Sequence, residues 1–249
     1  MDRSALKTPS DDVWTVLSTA RTIRRFTDEL VDDAVLARCL HAATWAPSGA
    51  NAQGWRFIVL RSPEQRAVVA EAATRALEVI EPVYGMTRPA DDDHSHRARN
   101  ARATYELHDR AGELTSVLFV QRRFTTASEL LLGGSIFPAM QNFLLGARAQ
   151  GLGACLTSWA SYSGEPLLRE AVGVPDDWML AGHVVVGWPR GNHGPLRRRP
   201  LADVVCLDRW DQPATELVAA ATQDRTGGST SEAVGSEAAP DDEHGEGEQ

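Results

Sequence analysis

The chain is short of several residue types and patterns that mark specialised folds. Lys7 is the only lysine; every other basic side chain is arginine or histidine. Cysteine occurs only as Cys39, Cys155 and Cys206, an odd number at wide spacing with no C-x-x-C. That argues against a disulfide framework or a zinc ribbon and fits a reducing compartment. Each cysteine lies among apolar neighbours, which predicts buried thiols that pack as small hydrophobes. No run of about 18 apolar residues appears, so no membrane span is expected. The start, MDRSALKTPSDD, lacks an apolar segment behind a basic one, and a secretory signal is not expected. A cytoplasmic location follows as the expectation. Gly151-Leu152-Gly153 follows a predicted helix and lacks a third glycine, so it is not a dinucleotide fingerprint. No internal repeat is found.

Net charge is small over most of the length. The formal net charge is -9, but residues 222–249 hold eight acidic groups against one arginine, which leaves about -2 for everything before them. Such a body offers no net basic field for nucleic acid. The 222–249 stretch, made of Gly, Ser, Glu and Asp, cannot bury enough apolar surface to offset ordering and is expected to be a disordered acidic tail. Residues 1–10 are expected to be a flexible start and 11–210 to form the folded domain.

What is present is an ordinary globular balance, 43% hydrophobic and 24% charged. Val13, Trp14 and Leu17 share a helical stripe in 11–20. Val35, Leu36, Cys39, Leu40 and Ala43 do the same in 32–45, and Pro47-Ser48-Gly49 ends that helix. The run Trp55–Leu60 reads as a strand. Helices are predicted over 63–80, 101–110, 128–150 and 165–172, with Pro138 a kink or a delayed start of the third. Further strands are predicted over 115–120, 155–158 and 180–188. Residues 84–100 have no periodicity and read as a surface loop or lid. Helices first, then strands alternating with helices, give an α/β or α+β sheet with helices on its faces.

Three segments could carry chemistry. Arg21 and Arg24 would share a face in helical geometry and, with the Thr22 hydroxyl, form an anion cradle; a solvated basic helix end reads the same. Ala46–Trp55 puts small and amide residues on a loop entering a strand, either a plain turn or a reader of a planar heterocycle. Pro195–Leu201 holds Arg197, Arg198 and Arg199, an exposed basic loop or a phosphate grip. His94 and His96 beside three aspartates lack the order of a metal shell. His183 in its apolar strand reads as a hydrogen-bonded core residue. Trp14, Trp45 and Trp159 read as core; Trp188 and Trp210 as looser contacts.

Together these segments resemble the FMN-binding nitroreductase family. RTIRRFTDELV is similar to its R-S-x-R-x-F signature, and APSGANAQGWRFIVL to A-P-S-S-x-N-x-Q-P-W-x-F-I-V-V. GGSIFPAMQNFLLGARAQGLGACLTSW resembles its central-helix segment, and VVVGWPRG followed by RRRPLADVV its late G-Y-P and R-K-P-L-x-x-V. The likeness runs from about Thr19 to Val205 and leaves the lid and tail unmatched.

The resemblance implies an α+β fold, a three-layer α/β/α sandwich around a mostly antiparallel sheet, in a domain-exchanged homodimer. It implies FMN as cofactor and NADH or NADPH as electron donor, with a small oxidised acceptor. Arg21, Thr22 and Arg24, with Arg25, would meet the phosphate, ribityl chain and pyrimidine edge. Arg198 and Arg199 would meet the phosphate. Pro47, Ser48, Gly49, Asn51 and Gln53 would approach from the other subunit, and the 136–149 helix would lie at the dimer interface. No nucleophile–base–acid set is evident, because flavin N5 carries the reaction and Arg24 serves as electrostatic stabiliser. Gly49 and Gly54 depart from the family's Ser and Pro. Other readings of the same motifs are a flavin-binding sensor or storage protein, or a flavin-fragmenting or dehalogenating enzyme.

Overall fold

The computed structural model describes residues 8–124, 128–191, 193 and 196–220. The expected acidic tail and most of the expected flexible start fall outside them. The chain divides into two compact units, Met1–Leu196 and Arg197–Gln249.

In the first unit four strands form one antiparallel sheet: β1 (Trp55–Leu60), β2 (Thr115–Arg122), β3 (Gly153–Thr157) and β4 (Trp178–Gly187). Their order across the sheet is β1-β2-β4-β3, so β1 and β3 are the edges. β2 is buried along nearly its whole length, which explains its continuous apolar run Val117–Val120. The helices are α1 (Val13–Thr19), α2 (Asp33–Thr44), α3 (Pro63–Tyr84), α4 (His96–Asp109), α5 (Glu129–Ala149) and α6 (Glu165–Val172).

Because side chains alternate along each strand, the sheet feeds two cores. Leu60, Leu118, Val120, Cys155 and Val185 meet Val69, Ala72, Ala76, Leu107 and Leu168 from α3, α4 and α6. Trp55, Val117, Phe119, Ala154 and Val184 meet Leu36, Cys39 and Ala43 of α2 and Ile136, Met140 and Phe143 of α5. Helices thus cover both faces of an antiparallel sheet, the three-layer α+β arrangement that was expected. α5 is long and apolar enough to span a bilayer by length and composition. Its Ile136, Met140, Phe143 and Ala147 are core of this layer, with Gly146 letting α2 approach so closely that a Cβ there would sit 3.1 Å from Ala42 Cβ.

Local signals set the helix ends. Asp12, Ser62, Ser95 and Ser128 each accept a hydrogen bond from a backbone N–H in the first turn of α1, α3, α4 and α5. Two readings are corrected here. α4 begins at His96, and α3 runs through Pro82 to Tyr84, so only 85–95 remains of the loop expected over 84–100. The Ser95 cap is the overlooked signal, and Pro82 lies inside α3, two residues before its end. Pro138 likewise lies inside α5 without delaying its start.

The aromatic expectation also divides. Trp159 is fully buried, but Trp14 and Trp45 are 75% and 71% exposed. α1 buries Val16 and Thr19 and turns the predicted stripe of Val13, Trp14 and Leu17 outward. The helical period holds, and among the described residues that face stays exposed. Among the thiols, Cys39 and Cys155 are buried, while Cys206 is exposed.

Candidate active site

The segment Arg21–Phe26 is not helical. Thr22 bridges Ala154 in parallel, Ile23 N–H donates to the Ala154 carbonyl at 2.9 Å, and Phe26 pairs with Pro189. The chain is therefore extended beside the edge strand β3, and the helical face shared by Arg21 and Arg24 does not exist. Extended backbone alternates instead: Ile23 is buried, Arg21, Thr22 and Arg24 are exposed, and Arg25 is half-buried. Gly153 makes this docking feasible, since a Cβ there would lie 2.8 Å from three carbons of Ile23.

Arg24 presents its charge toward β3. Burial pushes the Cys155 thiol up to about 11, and the Arg24 guanidinium acts against that shift. Arg25 turns elsewhere. Its Nε stands 3.2 Å from Glu106 Oε2, an ion pair whose angle falls short of a hydrogen bond, and Arg190 pairs with the same carboxylate. Arg25 thus helps hold the segment against α4, which leaves Arg21, Thr22 and Arg24 as the exposed polar set.

The second group lies at the other side of the sheet, on the loop entering β1. Ala50, Asn51 and Gln53 all have positive φ, at 50°, 54° and 47°. Three non-glycine residues held in the left-handed region are costly and persist only where the surroundings fix them. Here Ser48 Oγ accepts from Gln53 N–H at 3.0 Å, Gln53 Nε2 donates to Asn51 Oδ1 at 3.2 Å, and Ser135 Oγ of α5 accepts from Gly49 N–H at 3.4 Å. Pro47, Gly49, Asn51 and Gln53 are exposed and Ser48 half-buried. A Cβ on Gly49 would meet nothing within 4 Å, so the loop would accept serine there. A Cβ on Gly54 would lie 2.7 Å from Gln121 Nε2, so a side chain there would displace the end of Gln121.

Arg198 and Arg199 belong to the second unit, where both are exposed and Arg198 Nη1 donates to the Arg197 carbonyl at 3.0 Å. Arg99 and Asn100, near the start of α4, make local bonds to the His94 carbonyl and His96 Nδ1.

Between α5 and the end of β3 opens a cavity of about 460 Å³, which none of the expected site residues lines. Phe137 and Met140 of α5, Leu156–Ser158, and Leu180–Gly182 form much of its wall. The β2–β4 register slips between Phe119 and Val120, so that Ala181 is a bulge. Bulges re-aim side chains and are frequent beside functional sites. Past Trp159 the chain makes a π-helical turn, Ala160–Gly164, another local irregularity found at such sites. The Ser, Tyr and Gly between strand and helix are the sequence signal that could have marked this corner.

The family model for the Nitroreductase family matches residues 17–188, which include the extended arginine segment, the strained loop and the cavity. The 5,6-dimethylbenzimidazole synthase of Rhodospirillum rubrum is 27% identical over 186 residues, covering 70% of this chain and 80% of that protein. The nitrobenzene nitroreductase of Ectopseudomonas oleovorans is 28% identical over 190 residues, covering 68% and 82%. Among solved structures, a nitroreductase-type protein of Desulfovibrio desulfuricans in complex with FMN superposes with a TM-score of 0.57 at 25% identity, over 81% of this chain and 99% of that one. With its sheet, its arginine segment and its strained loop all inside the matched span, this chain belongs to the nitroreductase family.

Proposed function

We propose that the chain is a cytoplasmic, homodimeric, FMN-dependent oxidoreductase. It passes electrons from NADH or NADPH to a small oxidised acceptor such as a nitroaromatic or a quinone. One geometric observation carries this reading. The polar segment Arg21–Arg24 lies at the β3 edge and the strained loop 47–53 enters the β1 edge. Across four strands these edges are about 14 Å apart. A second copy would bring the loop of one chain to the arginines of the other.

The residues present suit FMN. Arg21 and Arg24 offer planar donors for a phosphate and for carbonyl oxygens, and Thr22 adds a hydroxyl. The cavity volume falls within the range of about 300–1,000 Å³ usual for small-molecule sites. Phe137 and Leu156, both half-exposed, supply an apolar surface for a flat ring, with Thr157 and Ser158 beside it. Arg198 and Arg199 remain proposed phosphate ligands on the strength of the late motif. When bound, FMN supplies hydride and electron transfer at N5; the chain supplies grip, orientation and field. Arg24 would stabilise negative charge at the pyrimidine edge, an electrostatic effect that needs no proton transfer. Donor and acceptor would use one cavity in turn, giving ping-pong kinetics.

The purified chain is expected to be yellow, to bleach with NADH or NADPH, and to recover colour with a quinone or nitroaromatic. Arg24→Ala is expected to weaken FMN retention or slow turnover by about tenfold or more, the cost of one lost charge-assisted contact. Wild-type protein that stays colourless in excess FMN overturns the reading. The likeness to a 5,6-dimethylbenzimidazole synthase favours one alternative, a flavin-fragmenting enzyme. Mass analysis of the flavin after aerobic reduction separates the two, since an intact cofactor after many turnovers excludes fragmentation.

A further inference from the structure

Ser158 lines the cavity between two side chains anchored on the opposite side of the sheet. On its N-terminal side, Thr157 Oγ1 meets His183 Nδ1 at 2.7 Å. On its C-terminal side, the Trp159 indole Nε1 donates to His108 Nε2 at 2.9 Å. The indole is gripped between two imidazoles, His108 edge-on with centroids 5.4 Å apart and His183 tilted at 5.0 Å. His108 Nδ1 lies 2.9 Å from the Thr104 carbonyl, one turn back on α4. A carbonyl can only accept, so Nδ1 carries the proton and Nε2 is free to accept from the indole. Burial pushes the His108 imidazole below its ordinary value, which keeps it in that neutral form.

The backbone so held is irregular. Ser163 has φ 73°, and Gly164 lies against the Trp159 carbonyl, where a Cβ would come within 2.5 Å. Gly164 N–H donates to the Trp159 carbonyl at 3.0 Å and Tyr162 N–H to the Ser158 carbonyl at 3.0 Å. A turn of this kind persists only where its neighbours over-determine it. Leucine could fill the volume of His108; it could not accept a buried indole proton.

We propose that His108, held as the Nδ1–H tautomer, acts through the Trp159 indole as the positioning residue for the Thr157–Ser161 wall of the cavity. Its consequence for flavin rests on the functional reading above.

The test compares full-length wild type, His108→Leu and His108→Gln by hydrogen–deuterium exchange over residues 157–164, and by FMN affinity and the visible circular dichroism of bound FMN. A glutamine amide can accept from the indole and donate to the Thr104 carbonyl, so it serves as the rescue. His108→Leu is expected to speed exchange at 157–164 by about tenfold, with β2 and β4 unchanged, while His108→Gln stays within about twofold of wild type. FMN affinity and the dichroic band are expected to follow the same order. Unchanged exchange at 157–164 in His108→Leu overturns the proposal. So does a folded His108→Gln protein that behaves like the leucine variant, or altered exchange with unaltered flavin binding. If His108→Leu does not fold, Trp159→Phe, which removes the donor together with part of the ring, carries the same expectations. Wild type that takes up no FMN overturns the functional reading instead, and the exchange arm still decides the clamp.

Discussion

At Gly153 a missing methyl group decides where the arginine segment runs. A Cβ would press within 2.8 Å of the Ile23 side chain, and Ile23 is the buried residue that seats Arg21–Arg25 beside β3. Gly153→Ala is expected to cost about 1–3 kcal/mol through overpacking and to weaken FMN binding. Denaturant titration and flavin titration check both, and an unchanged FMN affinity would show that the segment's seat does not matter. Gly49→Ser is the counterpart. Open space around it predicts a stability change within about 0.5 kcal/mol, read by the same titration. Neither outcome can be foreseen from the glycines as letters, because what a Cβ would meet belongs to another element. The reading of His183 as a hydrogen-bonded core residue did hold: it is fully buried and bonded to Thr157. An apolar strand around one polar side chain is a local signal, whereas the pairing of His108 with Trp159 across 51 residues is not.

Whole elements show the same division between what is covered and what is left open. α5 buries Ile136, Met140, Phe143 and Ala147 inside its own chain, which leaves its other faces for the expected dimer interface. Its outward face carries Leu130 at 87% and Phe137 at 51% exposure, and α1 adds Trp14. Isolated exposed hydrophobes need no explanation; Leu130, Leu131 and Phe137 exposed together on the first half of one helix do. Leu130→Asp is expected to weaken the proposed dimer by about thirtyfold or more, the scale of an interface hot spot, without loss of helix content. Light scattering with circular dichroism measures both. A wild type that is monomeric at micromolar concentration would remove the dimer and with it the two-edge site. The Arg21–Arg25 segment failed as a helix for a related reason: its own letters suit a helix end, but an unpaired strand edge offered its backbone better partners.

For the molecule as a whole, buried histidine makes acid the weak side. Burial holds His183 down to about 3 and lowers His108 as well. Unfolded histidine titrates near 6.5, so between about 6.5 and 3 the unfolded chain binds more protons than the folded one. The stability tied to these groups is fully present above about 6.5 and is lost as pH falls through that window. Thermal midpoints are expected to be flat from pH 8 to 7 and to drop below pH 6, with a shallower drop in His183→Asn. Equal acid slopes in variant and wild type would contradict this. The order of helices and strands, the continuously apolar β2 and the four family motifs were legible in the letters, because periodicity, caps and turn residues act within a few positions. Only the tertiary structure decided three things: that the arginines lie extended along β3, that two imidazoles bracket Trp159, and which apolar faces stay open. Those outcomes depend on which groups distant in the chain compete to cover and pair with one another, and no local stretch of sequence contains that competition.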